Sequence, residues 1–548
     1  MKADLTRRSF DPLKHFSRVL MQQGRVQLDA DWNEQAAILL HLVRRLAADV
    51  FPAGFGGSGF HIAALDTKTA LSDDFAISPG DFWVDGMLCE LEATPVDVLS
   101  VDAAKSQIVV SAWTVDGMPF AVGQYLLVSG DDPATGAVEV TGKITALVYA
   151  TATLTLDADL STLKSAKNVR ARRLVTYKAQ PGGLPDAQRL VAGKQYQIYL
   201  DVWERLITSL EDDSIREVAL NGPDTAARTQ VVWQVRTLEF PPRATTGGKG
   251  KTPQPATPLP ACMTVQALTD ALRPAGAGLL QARTQPAQES TDPCTISPDS
   301  RYRGPENQLY RVEIHVGRSA GVDPARTATF KWSRENGSVV FPIVKLDNAN
   351  GTTTVRLGNL GRDDRFGLQA GDYVEIQDDG SVLANSVAPL LKVQAVDRAA
   401  MVVTLSGNAG LTVGADSALH PLVRRWDQKA GNPSAGGLEL DAGAARIVAD
   451  AWLELEDGVQ VRFPRADQAS YRSGDYWLIP ARVATGNVIW PTETEQDAQG
   501  TVTVHQVAKA PDGVSHHYAP LAVVNVVDGQ APALRSCAPQ PTFVQTGS

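Results

Sequence analysis

Along most of the chain, apolar and polar residues alternate over short runs that end in Gly, Pro, Asn or Asp. Examples are FWVDGMLCEL from Phe82, QIYLDVW from Gln197, QVVWQVRTLEF from Gln230 and LYRVEIHV from Leu309. A period of two over such lengths predicts half-buried strands, and many short strands predict sandwiches or barrels rather than βαβ units. One segment follows another period. In DWNEQAAILLHLVRRLAADV, residues Ile38, Leu39, Leu42, Val43, Leu46 and Val50 recur at helical spacing, which predicts an amphipathic helix from Asp31 to Val50. Asp31 followed by Glu34 has the form of a capping box, and Pro52 and Gly54 close the segment. The expected fold is mainly β: a multidomain β-sandwich/barrel body with one N-terminal helix.

Two stretches repeat. VGQYLLVSG from Val122 parallels AGDYVEIQD from Ala370, and KITALVYATATLTL (Lys143–Leu156) aligns without gaps on KVQAVDRAAMVVTL (Lys392–Leu405). Paired arginines follow in both, Arg172–Arg173 and Arg424–Arg425. A Gly-X-Tyr strand start ahead of a hairpin suits a small barrel. The common order favours duplication over chance alignment of alternating segments. The expected organisation is then an arm and helix over 1–60 and a discontinuous β body over 61–100, 179–240, 301–360 and 428–548. Two small β-barrels, 101–178 and 361–427, are inserted into that body, and 241–299 is a Pro/Gly-rich connector with a helical candidate at Thr264–Leu272.

Composition narrows the classes. With 43% hydrophobic and 20% charged residues over 548 positions the chain is globular. A net charge of −10 without a basic block argues against nucleic-acid binding, and no apolar run reaches the length of a membrane helix. MKADLTRRSF lacks the apolar core of a signal peptide, so cytoplasmic synthesis is expected. Cys262 and Cys294 bracket the end of the connector and are read as plain thiols sooner than as a disulfide or half a metal site.

Catalytic patterns fail on context. Gly317-Arg318-Ser319-Ala320-Gly321 matches a nucleophile elbow, but Pro324 and ATFKW follow where a helix is required, so Ser319 is expected in a hairpin loop. Gly54, Gly56 and Gly59 fit a dinucleotide fingerprint but come after a helix instead of a strand. Asp29, Asp31 and Asn33 start like a calcium loop, yet Glu34 stands where glycine is needed. His516 and His517 are adjacent and on a strand point to opposite faces. Glu211-Asp212-Asp213 reads as a solvated turn, and Asn336 and Asn350 sit in turn sequences. Trp83, Trp203, Trp233, Trp332, Trp452 and Trp490 are expected in the core sooner than on sugar-stacking platforms. No catalytic residue, metal ligand or cofactor site is predicted.

SRVLMQQGRVQLDADWNEQAA (Ser17–Ala37) resembles the N-terminal signature of a bacterial family of phage-tail-like proteins associated with contractile injection systems. The resemblance continues through Tyr199–Arg236, Ser300–Gly317, Ala328–Ile343, Leu453–Phe463, Tyr471–Pro491 and Gly513–Val524. It implies a non-enzymatic structural or accessory component, of baseplate, fibre or adaptor type. The implied partners are other subunits of a particle or copies of the chain, with release as part of the particle. A module that binds cell-surface glycans is the alternative, and a cargo enzyme or toxin ranks last. Within the signature, Arg18, Gln22, Gln23 and Arg25 are interleaved with Val19, Leu20, Met21, Val26 and Leu28, ahead of Asp29, Asp31, Trp32 and Asn33. That mixture suits a partner surface and makes these polar residues and Trp32 the candidate interface. The apolar face of the helix either packs on the chain's own β body or meets a partner.

Overall fold

The computed structural model describes residues 1–51, 59–65, 74–181, 189–241, 259–273, 276–285, 301–318, 328–349, 351–363, 365–410, 413–465, 469–496, 500, 502–526 and 533–537. The fold is mainly β. Two helices matter below: α1, Asp29–Val50, and α2, Val265–Leu272. Helix α2 falls where the sequence places it, with the Thr264 side chain accepting from Ala267 N. Among the described residues no helix is long and apolar enough to cross a membrane.

Chain contacts define two compact units. Unit I holds Met1–His41, Glu204–Gln230 and Pro274–Ser515; unit II holds Leu42–Trp203, Val231–Arg273 and His516–Ser548. The segments expected to form one β body are therefore shared between two. The cause is strand pairing across long separations: Tyr476–Arg482 pairs with Gln308–Ile314 in unit I, whereas His517–Asn525 pairs with Gln195–Ile207.

Each unit contains a closed six-stranded barrel. Barrel A, in unit II, uses Val96–Asp102, Gln107–Val110, Tyr125–Asp132, Gly136–Val148, Thr153–Leu156 and Lys167–Thr176. Barrel B, in unit I, uses Val340–Ala349, Thr352–Leu357, Tyr373–Gln377, Leu390–Asp397, Val402–Ser406 and Leu422–Trp426. Both follow the strand order first, second, fifth, fourth, third, sixth, and both close by pairing the sixth strand with the first. Two irregularities agree as well, while a third, between Lys167 and Arg170, occurs in barrel A alone. Register shifts lie between Val98 and Ser100 and between Ile144 and Ala146 in barrel A, and between Ile343 and Lys345 and between Val393 and Ala395 in barrel B. Gly123 and Gly371 both take positive φ, 95° and 101°, a region open to glycine at little steric cost. Each glycine N–H donates to the fourth strand, to Ile144 O and Val393 O, at 2.8 Å in both. The barrels begin earlier than the sequence limits of 101 and 361. In particular, residues 340–357, expected in the body, supply the first two strands of barrel B.

Unit I is organised around a strand with two chemically different faces. All seven residues of Gln308–Ile314 are buried. Tyr310, Val312 and Ile314 join Phe330, Trp332, Phe463 and Trp477 in an apolar core. The alternate residues Arg311 and Glu313 point the other way, because successive side chains of a strand leave opposite faces. There Glu313 lies opposite Lys331 of Thr329–Ser333, 3.4 Å from its Nζ, and 2.6 Å from Arg311 Nε. Lys331 also reaches Glu375 on the third strand of barrel B at 2.6 Å, and Trp426 Nε1 donates to Glu375 at 3.0 Å. A third cation is Lys2, 3.1 Å from Glu313. Burial by itself would raise the pKa of Glu313, but the charges of Lys2, Arg311 and Lys331 hold it well below the usual carboxylate range.

Unit II packs Phe60, Phe75, Phe82, Tyr177 and Trp233 against the sheet strand Gln195–Ile207. A disulfide, Cys262–Cys537, ties the segment before α2 to the end of the strand Ala533–Ser536. Cys262 is thus no plain thiol, while Cys294 lies outside the described residues. The strand pairing Val523↔Arg535 sets Cys537 at the sheet edge, and Arg535 Nη1 donates to Pro260 O at 2.8 Å, which holds the chain beside it. Trp203, Trp233, Trp332 and Trp490 are buried, and Trp83 and Trp452 are half-buried.

Two stability measurements follow from these arrangements. Glu313→Gln removes the counter-ion of Arg311 and Lys2 and leaves Lys331 with Glu375 alone, and should lower the stability of unit I by about 3–5 kcal/mol in urea unfolding. A loss below about 1 kcal/mol would show that the cations do not depend on this carboxylate. Cys537→Ser should destabilise unit II by about 2–4 kcal/mol, through the freedom regained by a long loop in the unfolded chain. Reductant should lower the melting of the native chain and leave the variant unmoved; an insensitive native chain would mean that the bond is not formed.

Candidate functional site

The first six residues are built into unit I. The Met1 ammonium donates to Tyr476 Oη at 2.8 Å, and Leu5 packs with Leu309, Tyr476 and Leu478. Asn336 is fully buried and donates from Nδ2 to Met1 O at 3.0 Å and Ala3 O at 2.8 Å, while Arg482 Nη2 donates to Thr6 O at 2.9 Å. Asn336 takes a positive φ of 54° ahead of Gly337 at 70°, so the expected turn is present. Its side chain, however, serves as a clamp that sequence reading missed. Asn350 lies outside the described residues.

Beyond the clamp an exposed arm is fastened to α1. Thr6 donates to Asp29 from N at 2.9 Å and from Oγ1 at 2.5 Å, Ser9 Oγ donates to Ala30 O at 3.4 Å, and Val19 N donates to Gln35 Oε1 at 2.8 Å. Burial would raise the Asp29 carboxyl, but the two Thr6 bonds bring it below its usual value. The helix starts at Asp29, and Asp31 N and Trp32 N both donate to Leu28 O. Asp31 therefore lies inside the first turn, and the capping box with Glu34 does not form. Arg18, Gln22, Gln23, Arg25, Trp32 and Asn33 are exposed, Asp29 is exposed but taken by Thr6, and Asp31 is half-buried. Gln22 O accepts from Arg25 N, with Gly24 at φ 69°, so a turn presents Gln22, Gln23 and Arg25.

Of the two outcomes open for the apolar face of the helix, the chain's own body covers Ile38 and leaves the rest exposed. Ile38 is buried together with Ala30 and Ala47, whereas Leu39, Leu42, Val43, Leu46 and Val50 are between 51% and 66% exposed. At Arg44 the helix backbone is closely approached: a Cβ on Gly86 would collide with the Arg44 carbonyl. The arm adds Leu13, Phe16, Leu20, Met21 and Val26, all more than half exposed. Exposed large apolar residues are thus concentrated along residues 13–50, and clustering of that kind is what distinguishes interaction surfaces from scattered apolar exposure.

Titratable clusters elsewhere are bound into local pairs. His516 Nδ1 lies 2.6 Å from Asp201, which also meets Arg236 at 3.2 Å, while His517 Nδ1 lies 2.6 Å from Asp85. The two histidines face different carboxylates, as their adjacency predicts. Glu335 is pushed up to about 8 by burial and then by the charge of Asp427, against the pull of Arg425 and Arg334. A raised carboxyl can mark an acid–base site. This one is 7% exposed and set among Arg425, Arg365 and their partners, the pattern of a structural network. Among the described residues no group of three or more His, Cys, Asp and Glu is placed to hold a metal. Ser319 and its loop lie outside the described residues, but the flanking strands Gln308–Ile314 and Thr329–Ser333 pair antiparallel, Ile314 opposite Phe330. Gly54 and Gly56 also lie outside them. An open depression on barrel A, lined by Ser129, Asp131, Glu139, Asn168 and Arg170 among others, has no aromatic wall.

A family model matches residues 1–104, 187–246 and 243–540. The chain belongs to that family. It is described as a family of unknown function, DUF6519. The DUF6519 match takes in the clamp, the arm, α1 and barrel B, and passes over 105–186, which holds five of the six strands of barrel A. No curated protein and no solved structure matches the chain.

Lys2 gives the clamp a pH dependence. Burial pushes its ammonium down from 10.5 to about 7, with Glu313 pulling the other way and Arg424, Lys331 and Arg311 adding to the fall. Between those two values the unfolded chain binds the proton more tightly, so stability rises with pH across that window and the penalty is full below about pH 7. The stability of the native chain minus that of Lys2→Met should therefore increase from about pH 7 to about pH 9.5 in matched urea titrations. An unchanged difference would show that Lys2 keeps its ordinary affinity for protons.

Proposed function

We propose that the chain is a non-enzymatic structural or accessory component of a phage-tail-like contractile injection particle, of baseplate, fibre or adaptor type. It docks through the arm and α1. One observation carries the reading: residues 13–50 present apolar side chains outward, on a backbone clamped at Met1–Thr6 and along the helix. The resemblance of Ser17–Ala37 to the signature of phage-tail-like proteins supplies the particle, and the DUF6519 match includes that segment. The disulfide supports release, since such bonds persist outside a reducing cytoplasm. A glycan-binding role has less support. Trp113 and Tyr149, 5.1 Å apart, are exposed on barrel A, but they fall in the stretch that the family match passes over.

Deleting residues 1–30 is a poor test, because it also removes Lys2 and Leu5 from unit I. Leu20→Asp with Val26→Asp instead alters only exposed positions. The variant should melt within about 0.5 kcal/mol of the native chain, since exposed substitutions rarely do more. It should be missing from purified particles by mass spectrometry. Recovery at the native ratio would refute docking through the arm.

A further inference from the structure

Helix α1 carries a regular seam on its exposed side. Trp32, Ala36, Leu39, Val43, Leu46 and Val50 follow one another at alternating steps of four and three residues. All six are exposed, from 54% for Leu39 to 79% for Trp32 among the large ones. Ala30, Ile38 and Ala47, the buried residues of the helix, lie outside this series. A four–three spacing is the heptad pattern of a coiled coil, with Ala36, Val43 and Val50 at the a positions and Trp32, Leu39 and Leu46 at d. Beta-branched residues at a with leucine at d favour two parallel strands.

We propose that α1 is a self-association element, which pairs in parallel with α1 of a second copy of this chain along the seam from Trp32 to Val50. This rests on the reading of the helix as a docking surface and names its partner. Charge does not oppose pairing of two copies. The positions flanking the seam are Asn33, Gln35, Leu40, Leu42, Ala47 and Asp49. With a single charge among them, at the last turn, they offer nothing that a helix of opposite sign would recognise, and two copies meet without like-charge contact along the first two heptads. Glu34, Arg44 and Arg45 fall away from the seam. The area is also sufficient. The seam with Leu40 and Leu42 offers roughly 600 Å² of apolar surface per copy, about 1,200 Å² for the pair, which reaches the lower bound of stable interfaces.

Sedimentation velocity on the full chain, between about 1 and 100 µM, should show a reversible dimer. Leu39→Asp with Leu46→Asp should weaken it at least 100-fold with unchanged circular dichroism, because both positions are exposed. In a parallel pair residue 46 meets its own copy, so Leu46→Cys should cross-link under mild oxidation, while Arg45→Cys and the native chain should not. A monomer at every concentration, a dimer indifferent to the double substitution, or a dimer without the cross-link at 46 would each overturn the proposal. Particle incorporation of the double variant separates the two readings. A monomeric chain that loses its place in particles on this substitution keeps the docking role and loses self-pairing. A dimer that dissolves without affecting incorporation keeps self-pairing and removes α1 from docking.

Discussion

Glu313 is the constraint on which the N-terminal part of the molecule depends. A carboxylate on a fully buried strand is tolerable only when its charge is met at close range, and three cations meet it. Two come from neighbouring strand positions. The third, Lys2, comes from the far end of the sequence and fixes Met1–Thr6 in unit I. Once those residues are fixed, Asn336 closes on the carbonyls of Met1 and Ala3, Leu5 fills its apolar site, and Thr6 is left beside Asp29. Asp29, at the start of α1, is thus bonded to a segment that also contributes Lys2 to an ion cluster far away in sequence. Glu375 extends the same cluster into barrel B, which couples the sheet and barrel of unit I through charge as well as apolar packing.

What the sequence made legible was local. The mainly β character, α1, α2, the opposed histidines and the repeat all rest on spacings of a few residues. The repeat marks the third to fifth strands of each barrel, where Gly-X-Tyr and the following hairpin stand close together. It missed the first two strands, because 96–110 and 340–357 share the topology and the bulge but few matching residues. Pairings across hundreds of positions were not legible at all. Lys2 with Glu313, Asn336 with Met1, and Cys262 with Cys537 join segments whose local patterns say nothing of one another. Cys294 is the cysteine nearest to Cys262 along the chain, yet Cys262 pairs with Cys537, 275 residues away.

The helix shows a second limit. Periodicity states which residues share a face, and leaves open which surface covers it. Ile38 and Leu39 are adjacent in sequence and about 100° apart on the helix, so one can be buried while the other is bare. The covered side carries Ala30, Ile38 and Ala47, and at Arg44 the helix backbone comes so close to Gly86 that a Cβ there would collide. Perturbed ionisation misleads in a related way: Lys2 and Glu335 are displaced strongly, yet their partners are the fixed charges of buried networks. Burial produces such shifts whether or not a substrate ever reaches the group.

An apolar arm of some twenty residues would be a poor ligand if it were free, since each immobilised side chain costs about 0.5–1.5 kcal/mol on association. This arm is not free. It is held at Met1–Thr6, at Ser9 on Ala30, at Val19 on Gln35 and at its junction with α1, and a turn at Gln22–Arg25 shapes its tip. Much of the ordering that an association would require is therefore already complete in the chain itself. A purely apolar N-terminal plug would anchor the chain as firmly, but it would compete with Leu20, Val26 and Leu39 for the same kind of surface. Charge pairing in the interior and apolar contact outside keep the two ends of the segment from exchanging roles.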